Sequence, residues 1–443
     1  MSHRLSRPIG VDLFAGAGGM SLGFEQAGFD VVAAVELDPV HACTHKFNFP
    51  RTEVLATSVI GLRGDRIREI ARIGSRSVDV VFGGAPCQGF SLIGQRALAD
   101  PRNALVEEFV RLVCELDASY FVFENVKGLT VGRHRAFLDE LIEEFLKSGY
   151  NVVQRWQVLN SANFGVPQHR ERLFLMGAKK GLRLPKYPSL TCNIAGCAQP
   201  IKGLPFGPSC QDALADLPNA DDFPELLNSD TASLKAGMPS TSYARRLRGL
   251  DNQPSFEIER LWNRELLTSS SRTNHTSITR RRFTRTPAGQ IEPISRLFKL
   301  PRDGVSNTLR AGTDSARGAF TSPRPIHYEY ARCVTVREMA RLHGYPDWFR
   351  FHTTKWHGAR QIGNSVPPPL AKAVAEEIMA ARGIVPVRNE VPIVLRDTDL
   401  LSLGMSEAAA YWRIENPIAR RNKKSGATKR KQYEIELAAL LSE

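Results

Sequence analysis

Hydrophobic positions in the first 180 residues follow two alternating rhythms. Short β-rich apolar runs, IGVDLF (Ile9–Phe14), VVAAVEL (Val31–Leu37), VDVVFGG (Val78–Gly84), YFVFENV (Tyr120–Val126) and RLFLMGA (Arg172–Ala178), read as buried strands. Between them, Asn103–Leu116 and Arg135–Lys147 repeat apolar residues at helical spacing. Strands alternating with helices predict an α/β fold, a doubly wound, mostly parallel sheet covered on both faces. From about 181 to 330 the texture changes to Pro, Gly, Ser and Arg with no sustained period, which predicts a second, smaller, loop-rich domain. Helical order returns over Thr335–Gly383. The predicted organisation is therefore a main domain of residues 1–180 plus 331–385, a second domain of 181–330, and a C-terminal extension of 386–443.

Composition narrows the class. A chain of 443 residues with 42% hydrophobic content can bury a large core. No run approaches the roughly 18 apolar residues of a membrane span, and the start has no apolar signal core, so the chain is expected to be cytoplasmic with no membrane partner. Seven scattered cysteines fit reduced thiols rather than a disulfide framework. Cys192, Cys197 and Cys210 lack a fourth ligand at zinc-finger spacing and read as loop residues, with no metal site. A formal charge of +13 favours a polyanionic partner, because Lys and Arg release counterions when they neutralise phosphates. The basic cluster RRNKKSGATKRK (Arg420–Lys431) reads as a solvated segment.

Candidate chemistry gathers at the predicted strand ends. VDLFAGAGGMSLGF passes from a strand through glycines into a helix, and Glu36 closes the next strand. Glycines admit a ligand close to the backbone, the helix N-terminus favours an anion, and the acid can accept ribose hydroxyls; tight strand-to-helix packing alone would also require such a turn. The spacing departs from G-x-G-x-x-G, which disfavours a nicotinamide enzyme. In GGAPCQGFSLIGQR, Cys87 is either a small buried hydrophobe or a nucleophile at a strand end, with Gly89 and Gly94 able to hinge a closing loop. Glu124 ends a buried run, so its carboxyl must be paired with a cation or held protonated. Arg170 and Arg172, two residues apart, would point to one side of a strand; a surface pair at a strand edge is the plainer alternative.

Together these residues resemble one family, the DNA (cytosine-5) methyltransferases that use S-adenosylmethionine. The matching stretches, in order, are DLFAGAGGMSLG, the acid of AVELD, PCQGFS with DPRNAL, FENVKG, QHRERLF, TVREMARLHGYPD and IGNSVPPPLAKAVA. The resemblance implies a class I, Rossmann-like catalytic domain and a target-recognition domain at 181–330. It implies that Cys87 adds to carbon 6 of a flipped cytosine, that Glu124 supplies acid at ring nitrogen 3, that Arg172 contacts the ring carbonyl oxygen and that Arg170 orients the site. Phe14, Gly16, Gly18, Glu36, Pro86, Asn364 and Val366 would bind S-adenosylmethionine and release S-adenosylhomocysteine. Ser58 stands where the family usually has an Asp at the adenine amino group, and Ala85 where Phe or Pro is commoner. For duplex DNA, the expected contacts are Gln88, Ser91, Gln95 and Arg96 on the closing loop, and Arg280, Arg281, Arg282, Thr308 and Arg310 in the recognition domain. The implied protein is a bacterial, nucleoid-associated monomer that either serves with a cognate restriction endonuclease or acts as a solitary modifier. Two alternatives are a tRNA methyltransferase of the same fold, which lacks support because its CFT tripeptide is absent, and a catalytically silent DNA-binding regulator.

Overall fold

The computed structural model describes residues 7–86, 104–132, 134–234, 241–251, 256–312 and 323–415. Each of the five apolar runs forms a strand: β1 (Ile9–Leu13), β2 (Asp30–Val35), β4 (Val80–Gly83), β5 (Tyr120–Val126) and β8 (Glu171–Lys179). Three short strands complete the sheet: β3 (Glu53–Leu55), β6 (Tyr150–Val152) and β7 (Gln157–Asn160). The order is β3-β2-β1-β4-β5-β8-β6, with β7 on the same edge of β8 as β6. Only β8 runs against the others in this sheet, so the mostly parallel, doubly wound arrangement is present.

Alternation along the strands builds two cores. Val81, Phe121, Phe123, Leu173 and Leu175 face a layer of α4 (Ala104–Glu115) and α5 (His134–Lys147). Val80, Phe82, Tyr120, Val122, Phe174 and Met176 face α1 (Gly19–Gln26) and α11 (Pro368–Arg382). Helix α4 forms because Val106, Phe109, Val110 and Val113 share one face. Helix α11 starts with Pro368 in its first turn and stops at Gly383, whose φ is 70°.

α1 and α11 approach closely enough to exclude side chains. A Cβ on Gly23 would lie 2.5 Å from Cβ of Ala371, and one on Gly19 would lie 2.5 Å from the carbonyl oxygen of Val366. These two glycines thus let the C-terminal helix return beside the first glycine loop.

The described residues of 181–330 carry only short elements: α6 (Cys210–Leu214), α7 (Ser242–Leu247), α8 (Ser277–Arg285), 3₁₀ turns and two-residue strands that include β10 (Arg260–Leu261). Their core is shared with α9 (Val336–Leu342) and α10 (Lys355–Asn364) through Leu214, Leu247, Met339 and Ile362. Buried Arg341 joins these parts, donating to Asp216 at 2.8 Å and to Asp347 at 2.7 Å. The first part of the extension also packs back: β12 (Ile393–Val394) pairs with β10, and α12 (Met405–Trp412) lies on α2 (Pro39–Asn48). Among the described residues, no helix is long and apolar enough to cross a membrane.

Candidate active site

The strand order reverses between β1 and β4, and in open α/β sheets the crevice beyond that point receives the ligand. Two segments leave the sheet there: the glycine loop after β1 and Gly84–Pro86 after β4. Phe14 sits at φ 63°, a left-handed conformation uncommon for a bulky residue, while Gly16 and Gly18 have φ of 56° and 102°. Among the described residues, no atom lies within 4 Å of where a Cβ on Gly16 would stand, so the loop faces open space there. Glu36, after β2, accepts from Gly16 N and Asp38 N, both at 2.8 Å. Burial pushes its carboxyl above the ordinary value, against the nearby His41. Val366 is buried and Asn364 exposed at the end of α10, which brings them to the same loop through the Gly19 contact. Ser58 accepts from Ile60 N at 3.1 Å, capping a turn after β3.

Glu124 lies near the C-terminal end of β5, on the same face as Tyr120 and Val122. Its partner in register is Phe174, and Arg172 is the diagonal neighbour two residues along β8. Arg172 Nε lies 2.9 Å from Glu124 Oε1. Glu124 is only 9% exposed; burial raises its carboxyl pKa above the ordinary value, opposed by the charges of Arg172 and Arg170. The other oxygen packs on Gly84, where a Cβ would stand 2.4 Å from Oε2. Asn125 donates to the carbonyl of Ala85 at 3.0 Å and so fixes the segment that ends, among the described residues, at exposed Pro86. Cys87, Gln88, Ser91, Gln95 and Arg96 lie outside the described residues.

Arg170 is fully buried and does not pair with Glu124 directly. It donates to the carbonyl oxygens of Leu309 at 3.0 Å and Gly363 at 2.7 Å, and burial lowers its pKa to about 9. Around it, QHRER and SNTLRAG are stitched together. His169 N donates to Ser306 O at 2.8 Å, Thr308 Oγ1 to His169 O at 2.7 Å, and Leu309 N to Gln168 Oε1 at 3.0 Å. Gly363 packs on the other side of this segment, where a Cβ would stand 2.3 Å from Ala311 N. Thr308 therefore serves this joint, whereas Arg310 is exposed beside it. On α8, Arg280 donates to Asp221 at 2.5 Å, Arg282 Nε lies 3.5 Å from Glu292, and Arg281 is exposed.

The C-5 cytosine-specific DNA methylase model matches residues 10–380. The chain belongs to that family. It is a DNA cytosine-5 methyltransferase, and methyltransferases of this kind generally use S-adenosylmethionine as methyl donor. It is similar to the type II methyltransferase M.XorII of Xanthomonas oryzae pv. oryzae, at 54% identity over 95% of this chain and 96% of that one. M1.HphI of Haemophilus parahaemolyticus is 33% identical over 83% of this chain and 86% of its own. Among solved structures, an Escherichia coli prophage protein assigned as a DNA modification methyltransferase superposes with a TM-score of 0.66 at 29% identity, over 85% of this chain and all of that one. These matches do not favour the tRNA-modifying or catalytically silent alternatives.

Two side chains of the methyltransferase escaped the sequence reading. Leu37, after Glu36, is 50% exposed, and Ile60, after Ser58, is 59% exposed. Both follow the C-terminal ends of adjacent strands, β2 and β3. Their only signal in the sequence is an apolar residue one or two steps past a polar group that follows a strand.

Proposed function

We propose that this DNA cytosine-5 methyltransferase binds S-adenosylmethionine in the crevice between Phe14, Gly16, Gly18, Glu36, Pro86, Asn364 and Val366. The open space beside Gly16 and the buried acceptor Glu36 fit a nucleoside with ribose hydroxyls, and exposed Leu37 and Ile60 suit the flat faces of a purine. The bound cofactor supplies an electrophilic methyl group and leaves as S-adenosylhomocysteine.

The protein's own part begins with the target cytosine flipped out of the duplex, since its ring atoms are shielded in the stack. Cys87, as thiolate, forms a bond to carbon 6, and Glu124 donates a proton to ring nitrogen 3 as charge builds there. Arg172 steadies the ring carbonyl oxygen and Glu124 together. Carbon 5, now enamine-like, takes the methyl group. Loss of its proton to a base and expulsion of the Cys87 thiolate restore the ring double bond. Gln88, Ser91, Gln95 and Arg96 belong to the loop that closes behind the base, and Arg281 and Arg310 face the duplex from the recognition domain at 181–330.

The observation that carries this reading is the buried Glu124–Arg172 pair set against Gly84, three residues before Cys87. The protein is read as a cytoplasmic, nucleoid-associated monomer acting with a cognate restriction endonuclease, a reading supported by its likeness to type II methyltransferases. Incubation with S-adenosylmethionine and a duplex library, followed by single-nucleotide mapping, tests it. Methyl groups at carbon 5 within one short motif, absent with Cys87→Ser although that variant still binds DNA, are the expected result. Turnover by Cys87→Ser would remove Cys87 from the chemistry.

A further inference from the structure

The family match ends at residue 380, yet the chain continues as an ordered strap that returns to the main domain. Leu400, Leu401 and Ala408 pack on Val40, Cys43 and Phe47 of α2. At the end of the strap, Trp412 and Ile414 cover Ala15, Ala34, Ala42, Val54 and Ala56. Trp412 Nε1 also donates to the carbonyl of Pro39 at 3.2 Å. Thr353 N donates to Leu401 O at 2.8 Å, which ties the strap to the turn before α10.

The positions covered are telling. Ala15 lies between Phe14 and Gly16, Ala34 two residues before Glu36, Ala56 two before Ser58, and Pro39 directly after Asp38, whose N–H holds Glu36. The α10 helix ends at Asn364, and Gln361 on it donates to Thr44 of α2 at 2.8 Å. The strap thus packs against the backbone that carries Phe14, Gly16 and Glu36 and the turn at Ser58.

We propose that the C-terminal strap, residues 398–414, anchored by Trp412, is a positioning element for the S-adenosylmethionine site. It holds α2 and the glycine loop so that Glu36 and Phe14 are already placed for the nucleoside, which lowers the ordering cost of binding. The inference rests on the cofactor reading above, and the test separates the two.

Isothermal titration of S-adenosylhomocysteine into the full-length protein, Trp412→Ala and Trp412→Phe reads binding without catalysis. Trp412→Ala is expected to raise the dissociation constant about tenfold, within the range of roughly threefold to thirtyfold seen for positioning residues, and Trp412→Phe by less. KM for S-adenosylmethionine should rise in parallel while kcat at saturation stays within about twofold, a split that general loss of stability would not produce. A dissociation constant within about twofold of the parent, with only the melting temperature lowered, would reduce the strap to packing and overturn the proposal. If the alanine variant does not fold, the phenylalanine variant decides by the same comparison. Failure of the parent protein to bind the nucleoside would instead overturn the cofactor assignment, and the strap's role with it.

Discussion

Arg172 Nε stands 2.9 Å from Glu124 Oε1, a diagonal pair on one face of neighbouring antiparallel strands. Burial favours the protonated carboxyl and the guanidinium favours the ionised one, and the net effect raises the Glu124 pKa. A group balanced in this way can pass a proton to the base and recover it. Glu124→Gln is expected to reduce the single-turnover rate by about 10²- to 10⁴-fold while leaving S-adenosylhomocysteine affinity intact. Because the protonated form is the donor, the parent rate should fall as pH rises through the raised pKa, and the variant should lose that limb. A pH profile of single-turnover rates decides; an unchanged rate in Glu124→Gln would exclude the carboxyl from the reaction.

Asp12 is buried within β1, where Ser21 Oγ donates to it at 2.6 Å and also lies 3.0 Å from His45 Nε2. Burial raises its pKa from 3.8 to about 8. The folded state therefore holds a proton that the unfolded chain has released, and the stability from this group is lost as pH rises from about 3.8 to about 8. Buried His45, lowered to about 3, acts in the opposite sense by penalising the folded state as pH falls below 6.5. Above pH 6.5 His45 is neutral in both states, so there a comparison of Asp12→Asn with the parent isolates the carboxyl. The variant should gain relative stability steadily across the Asp12 window and plateau above it, as read from urea unfolding at several pH values. A difference that does not change with pH would show Asp12 to be ionised in the folded protein.

Arg170 joins three parts of the chain: the β8 entry, the segment at Leu309 and the end of α10 at Gly363. Arg170→Met keeps much of the volume but leaves two buried carbonyls without this donor. Each such loss costs about 1–3 kcal/mol, so unfolding free energy should drop by roughly 2–6 kcal/mol. Cleavage within 306–312 under native limited proteolysis should speed up accordingly. Retained stability would mean that the carbonyls find other donors and that Arg170 is not the joint.

The strands were legible because period two is strong in long apolar runs, and the need for a cation or a proton at Glu124 was legible because its carboxyl ends such a run, but which of Arg170 and Arg172 meets it was not. The strands β3, β6 and β7, of three or four residues, carry too few alternations to register. The joint between QHRER and SNTLRAG was hidden for another reason: it links segments about 140 residues apart through backbone groups and the side chains of Gln168, Arg170 and Thr308, and those polar residue types alone do not specify the pairing. Likewise, the strap was read as an extension because its apolar residues, Leu400, Leu401, Ala408 and Trp412, are spaced irregularly across a 3₁₀ turn and a short helix. Exposed Leu37 continues the period of its apolar run and so reads as one more strand residue, and nothing in the sequence marks it or Ile60 as exposed.

The three consecutive arginines of α8 look equivalent in sequence, but successive helical residues point about 100° apart and meet different surroundings. Arg280 is held by Asp221 and Arg282 faces Glu292, whereas Arg281 is exposed. A guanidinium already neutralised by an acid in its own domain gains less from a phosphate, so Arg281 should carry the electrostatic contact. Arg281→Ala is expected to weaken binding to all duplexes alike and to lower the slope of log affinity against log salt by about 0.9, the value for one phosphate. Arg280→Ala should leave that slope unchanged and instead lower stability by up to about 1 kcal/mol, since its pair with Asp221 is partly solvated. Filter binding of cognate and unrelated duplexes across a salt series distinguishes the two. If Arg281→Ala lost affinity for one motif only, Arg281 would be reading a base edge, and its place would be in the specificity of the enzyme rather than in its grip on the backbone.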